Sequence, residues 1–313
     1  MSEMTFGEFD RQVTALYEAK EYQRAYELVE REYQNFPDYQ PLLAYWRLCM
    51  NSVVGRKAEA LRIFQAALDQ GYWFAPKWLN DPDLAELEPL PEFQAMVEIC
   101  HQRLAVAQAE SRPELLVATP KEQTGALPLM IALHGNNGNA ANALPKWERI
   151  AAQGWLLAIP QSSQIVGPDA YVWDERETGV KEVREHLAQL SGDYNVDPER
   201  VVLGGFSKGG GQAIWIALHR SIKTCGFIVL GPYLTTEELD ALSVLLETQK
   251  LADLRGYILA GEEDNECLPV SRKVAELLNA HDIPCELELL PGLSHSYPED
   301  FAEMVGKKLV EWH

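Results

Sequence analysis

The sequence predicts an α/β protein: a mostly parallel sheet with helices on both faces, preceded by a small all-α domain of helical hairpins. Three observations point there. The texture changes near residue 110, from apolar residues at spacings of three and four to short β-branched and Leu-rich runs. After the change, runs of strand length alternate with helical stretches, as a sheet with crossover helices requires. Those runs are apolar nearly throughout, the mark of strands covered on both faces. With 313 residues, 47% of them apolar, the chain can build two cores. We expect a helical domain over 1–110 and an α/β domain over 111–313.

In the first part, Leu16, Tyr22, Ala25, Tyr26 and Val29, then Leu61, Phe64, Ala67 and Leu68, recur at helical spacing. Ala25 and Ala60 stand 35 residues apart in similar surroundings, near the roughly 34-residue period of helix–turn–helix repeats. Pro37 and Gly55 fall where turns are needed. This block resembles the tetratricopeptide repeat, although the first helix lacks the aromatic and glycine signature. The resemblance implies a surface for a protein partner.

In the second part the strand candidates are Glu114–Thr119, Pro128–Leu133, Trp155–Pro160, Arg200–Gly204, Gly226–Leu230, Arg255–Ala260 and Cys285–Leu290. Helices are expected between most of them. The short Pro120–Leu127 link suggests that the first two strands form an antiparallel edge pair.

The net charge of −20 is spread along the chain, which argues against nucleic acid and anionic membranes as partners. No apolar run approaches the length of a membrane span, and the N-terminus does not read as a secretory signal. Five scattered cysteines without a CxxC pair fit reduced thiols in a cytoplasm better than disulfides or zinc. No metal or other cofactor is expected.

The chemistry centres on Gly205-Phe-Ser207-Lys-Gly209, with a strand candidate before it and a helix candidate after it. A serine on such a sharp turn is exposed beside a helix N-terminus, and the residues two before and two after it must be small. Composition alone would give this pentapeptide in roughly one such chain in ten, so further signals must decide. A Gly-rich turn without chemistry is the alternative. A phosphate-binding loop lacks its Gly-Lys-Ser/Thr ending.

The segment Leu133-His134-Gly135-Asn136 follows an early strand. Its turn can offer the N–H of Asn136 to an oxyanion, with the N–H of Lys208 as the second donor; His134 is read as structural. Among seven histidines, His295 sits in Gly292-Leu-Ser-His295-Ser-Tyr297-Pro, after the last strand. Asp264 follows the preceding strand, three residues past Gly261. Loops at strand C-termini gather on one edge of a parallel sheet, so Ser207, Asp264 and His295 can meet there as nucleophile, acid and base. Tyr171 and Trp173 lie on the same edge and are candidates for the substrate pocket, with simple loop packing as the equal alternative. Tyr233 and Tyr297 are weaker candidates.

Together these four segments resemble the phospholipase/carboxylesterase branch of the α/β-hydrolase fold, over about residues 112–313. That resemblance implies a serine hydrolase acting on a small-molecule ester or thioester through an acyl-enzyme. The branch commonly carries glutamine where this chain has Lys208, a cation that could favour an anionic substrate from the pocket rim. A serine peptidase of the prolyl-oligopeptidase sort shares the elbow and the triad order. An interaction protein with a vestigial hydrolase domain is the reading from a different class.

Overall fold

The computed structural model describes residues 4–121, 125–251 and 253–312. Part of the Pro120–Leu127 link, and His313, fall outside them. Two compact units are present. One runs to Glu110 and includes Ile165–Pro168; the other is made of Ser111–Gln164 and the chain from Asp169 onward.

The first unit contains α1 (Phe6–Glu18), α2 (Tyr22–Glu32), α3 (Gln40–Val53), α4 (Lys57–Asp69), the single turn α5 (Pro76–Leu79) and α6 (Pro91–Glu110). Thr5 starts α1 with a capping box: its hydroxyl accepts from the Glu8 N–H, and Glu8 accepts from the Thr5 N–H at 2.8 Å. Ala25 and Ala60 are fully buried, which suits small residues between closely packed helices. Phe9, Leu43, Leu48, Phe64 and Phe74 fill the same core, each worth about 2–3 kcal/mol of transfer free energy.

After residue 110 the chain forms β1 (Glu114–Ala118), β2 (Leu127–Leu133), α7 (Ala140–Trp147), β3 (Leu156–Gln161), the short β4 (Ile165–Gly167) and β5 (Ala170–Tyr171), α8 (Arg176–Asp193), β6 (Val196–Phe206), α9 (Ser207–Leu218), β7 (Gly226–Leu230), α10 (Thr236–Thr248), β8 (Arg255–Gly261), α11 (Cys267–Ala280), β9 (Cys285–Leu290) and α12 (Phe301–Trp312). β4 belongs to the first unit by its packing. Among the described residues, seven strands form one sheet in the order β1-β3-β2-β6-β7-β8-β9. Every neighbouring pair is parallel except β1 with β3.

Here the structure corrects one expectation. The first two strands are not an edge pair: β1 runs antiparallel to β3, and β2 lies parallel between β3 and β6. Burial explains the exchange. Every residue of β2 is buried, whereas β1 is only partly covered, so β2 needs neighbours on both sides and β1 suits an edge.

Alternation along each strand serves two cores. Leu129, Ile131 and Leu133 of β2 join Val201, Leu203, Phe227 and Ile258 on one face. Met130 and Ala132 join Val202, Ile228 and Trp147 on the other. The sheet is thus fixed on both sides, and its strand C-termini present one rigid edge.

Candidate active site

Five strands deliver the site. The elbow comes first. Ser207 opens α9 directly after β6 and has φ +56°, the left-handed region that non-glycine residues occupy only under strain. The flanking glycines are sterically required. A Cβ on Gly205 would lie 2.6 Å from the Gly209 carbonyl carbon, and one on Gly209 would lie 2.2 Å from the His134 oxygen. The Tyr233 N–H, just beyond β7, donates to the Ser207 carbonyl at 2.9 Å and holds the turn from the other side.

The turn after β2 packs against this elbow: a Cβ on Gly135 would stand 3.5 Å from the Ser207 Cβ. His134 is buried, and burial lowers its pKa to about 4, so the ring is neutral at ordinary pH. Its Nδ1 is 2.9 Å from the Gly135 oxygen and its Nε2 accepts the Ser162 N–H at 3.3 Å. The ring therefore pins the loop, with both nitrogens engaged. Asn136 is anchored too. Its Oδ1 accepts from the Trp173 N–H at 3.0 Å, and its Nδ2 donates to Asp174 at 2.9 Å. With the side chain so committed, Asn136 has its backbone to offer. Lys208 lies in the first turn of α9, where N–H groups lack intrahelical acceptors.

Asp264 and His295 meet as the sequence suggests. Asp264 Oδ2 accepts from His295 Nδ1 at 2.6 Å, and Asp264 Oδ1 accepts from the Cys267 N–H at 2.9 Å. Burial pushes the Asp264 carboxyl upward, but the hydrogen bonds from His295 and the Cys267 N–H outweigh it, and its pKa lies below the usual value. The loop carrying His295 is tied to the end of β8, with the Glu263 N–H donating to the Leu293 oxygen at 2.9 Å. Phe206, the residue before Ser207, stacks on the His295 ring at a centroid distance of 4.6 Å. Glu262, Glu263 and Glu266 are exposed.

The aromatic candidates and Lys208 are placed by their contacts. Trp173 is fully buried, and its indole N–H donates to the His134 oxygen at 3.0 Å; its contacts are those of loop packing. Tyr171 sits half-buried in β5. Lys208 is not a rim cation. Its side chain is buried and reaches Glu238 at 3.3 Å, and Arg176 from the start of α8 forks onto the same carboxylate at 2.6 and 3.0 Å. Burial lowers the Lys208 pKa, the neighbouring Arg176 lowers it further, and Glu238 opposes both. Gln212 completes the cluster by accepting from Arg176 at 3.0 Å. Glu238 also closes a capping box with Thr235 at the head of α10. The cluster therefore ties the heads of α8, α9 and α10 together beside Ser207. The capping box is readable from sequence; the convergence of Arg176 and Lys208 on it is not.

This ion cluster makes a pH prediction. Burial raises the Glu238 pKa, but Arg176, the Thr235 N–H and Lys208 bring it down to about 2 from 4.5. The resulting stabilisation, about 3 kcal/mol, is complete above pH 4.5 and is lost as pH falls toward 2. In Glu238→Gln, chemical denaturation across that window will show a flatter acid limb than in wild type. At neutral pH the variant will be several kcal/mol less stable, because two buried cations lose their partner.

As to metals, two groups of described residues bring their donors within 4.8 Å of one another: Cys49, Asp81 and Asp83, and Asp264, Cys267 and His295. In the first, Asp81 and Asp83 already accept from the Tyr45 and Tyr17 hydroxyls at 2.8 and 2.9 Å.

Comparison with known proteins places the fold. A solved structure of an uncharacterized protein from Bacillus cereus ATCC 10987 is 29% identical, covers 99% of this chain and 98% of its own, and superposes with a TM-score of 0.56. The Bacillus cereus carboxylesterase shares the fold over 67% of this chain and 99% of its own, at 16% identity and a TM-score of 0.52. Acyl-protein thioesterase 1 of Gibberella zeae is 30% identical over 142 residues, which are 44% of this chain and 60% of that protein. The chain has the α/β-hydrolase fold, and over part of its length it is similar to acyl-protein thioesterases. The chain is also 26% identical to acyl-protein thioesterase 1 of Neurospora crassa, over 41% of its own length and 62% of that protein. It spans about three-fifths of the length of both thioesterases. Its residues 5–108 match the family described as A/B hydrolase-like, N-terminal domain. That match covers the helical unit, and its description does not name a tetratricopeptide repeat. No helix among the described residues is long and apolar enough to cross a membrane.

Proposed function

We propose that this hydrolase cleaves carboxylic esters or thioesters through an acyl-enzyme on Ser207. The observation that carries the reading is the 2.6 Å hydrogen bond between His295 Nδ1 and Asp264, made at the sheet edge where Ser207 stands in a strained elbow. With Nδ1 donating to Asp264, the proton sits on that nitrogen and Nε2 keeps its lone pair. Nε2 takes the Ser207 proton as the oxygen attacks the carbonyl carbon. The N–H groups of Asn136 and Lys208 hold the developing oxyanion, each worth about 10²–10³ in rate. The imidazolium returns its proton to the departing alcohol or thiol, and water then repeats the sequence to release the acid.

The names of the two thioesterases and the carboxylesterase support this reaction class. The five free cysteines support a reducing compartment, and we place the hydrolase in the cytoplasm on that basis.

Two measurements test the proposal. A fluorophosphonate probe will label wild type and leave Ser207→Ala unlabelled; equal labelling of the two would remove Ser207 from the mechanism. A panel of p-nitrophenyl esters and matched thioesters of increasing acyl length will show turnover with at least one member. Labelling without turnover on any member would turn the reading toward peptide bonds.

A further inference from the structure

One buried group at the site has no part in acyl transfer. Cys267 lies at the head of α11, three residues beyond Asp264, and is 2% exposed. Its backbone N–H serves Asp264, while no hydrogen bond to its thiol is found among the described residues. The thiol sulfur, an Asp264 carboxylate oxygen and a His295 ring nitrogen all lie within 4.8 Å of one another. Thiolate, imidazole and carboxylate form the donor set that borderline divalent ions such as Zn²⁺ prefer, and three protein ligands with one open position give a stable tetrahedral site. Asp264 is buried and His295 is 37% exposed at its side chain, so an ion can enter past the imidazole.

We propose that Asp264, Cys267 and His295 form an inhibitory site for a zinc-like divalent cation, which shuts the hydrolase off by occupying its acid–base pair. This rests on the acyl-enzyme reading for its consequence, though not for the binding. Coordinating ligands of a tetrahedral ion stand roughly 3.3–3.8 Å apart for metal bonds of about 2.0–2.3 Å. The 2.6 Å contact between Asp264 and His295 must therefore open by about 1 Å, and their hydrogen bond is replaced by two metal bonds. The Cys267 thiol gives its proton to solvent and binds as thiolate. The proton on His295 Nδ1 leaves that nitrogen, and the neutral ring carries it on Nε2 instead. That tautomer has no lone pair for the Ser207 proton, so the base is lost while the ion is bound. Nothing is oxidised or reduced, and a chelator restores the original arrangement.

The test is a Zn²⁺ titration of p-nitrophenyl acetate hydrolysis by wild type, Cys267→Ser and Cys267→Ala, each normalised to its own metal-free rate. The near-isosteric serine variant guards against loss of fold. Wild type should be inhibited reversibly, with EDTA restoring the rate, and both variants should need about tenfold more Zn²⁺ or beyond. Competition against a chromophoric zinc chelator should show one tight site in wild type that both variants lack. Equal midpoints and equal chelator competition in all three proteins would overturn the inhibitory site. If the fluorophosphonate probe leaves Ser207 unlabelled and no ester is turned over while chelator competition still separates the three proteins, the acyl-enzyme reading fails and the metal site stands.

Discussion

Replacing Ser207 with alanine will lower acyl transfer by about 10⁶-fold and leave the fold intact. The size follows from the unit behaviour of a nucleophile and its base, where losing the nucleophile removes the covalent pathway altogether. Residual rate would come from the oxyanion donors and from binding. Steady-state hydrolysis, measured beside the thermal unfolding midpoint, checks both halves of the expectation. A companion variant separates strain from chemistry. Ser207 holds φ +56°, a conformation that glycine adopts without a Cβ penalty. Ser207→Gly will thus be equally inactive but more stable, by about 1 kcal/mol. If Ser207→Gly unfolds earlier than Ser207→Ala, the elbow is not the strained element that its backbone suggests.

Gly209→Ala carries the second large effect, and it reaches activity through packing. The added Cβ would sit 2.2 Å from the His134 oxygen and 2.6 Å from the Leu133 oxygen. Both are backbone atoms at the end of β2, and neither can swing aside. Either α9 lifts from the sheet or the turn at residues 134–136 moves. Overpacking of a rigid core costs about 1–3 kcal/mol and can exceed it; this backbone collision lies at the upper end. Displacement of the Asn136 N–H would remove one oxyanion donor as well, a further loss of about 10²–10³ in kcat. Gly192→Ala is the matched control, because a Cβ there meets nothing within 4 Å. Denaturation curves and kcat for the pair will separate a local clash from a general effect of glycine replacement.

Much of the site was legible because its parts are local. A glycine two before and two after a serine, between a strand and a helix, declares a tight turn wherever it occurs. The ordering of Ser207, Asp264 and His295 at successive strand ends follows once the sheet is parallel, since parallel strands put all their C-termini on one edge. The strand runs from Pro128, Trp155, Gly226, Arg255 and Cys285 each match a strand of the sheet to within one residue at either end, and the run from Arg200 lies inside β6, which starts four residues earlier, because apolar runs of this length report burial in a sheet.

What was not legible depends on who sits next to whom. The place of β2 between β3 and β6 could not be read from the short link before it, because loop length permits an edge pair without requiring one. Trp173 has the composition of a pocket wall and the position of a core residue. Lys208 reads as a free cation until α8 and α10 bring Arg176 and Glu238 to it.

The sequence by itself determined the sharp turn at Ser207, the placing of Asp264 and His295 after strand ends and the parallel sheet that lets them meet, since each rests on turn sterics or on strand periodicity. Only the tertiary structure decided that Lys208 is paired with Glu238, that Trp173 supports the turn at residues 134–136 and that the Cys267 thiol lies beside Asp264 and His295. Those are relations between distant segments, and burial and charge pairing are fixed by packing rather than by spacing along the chain.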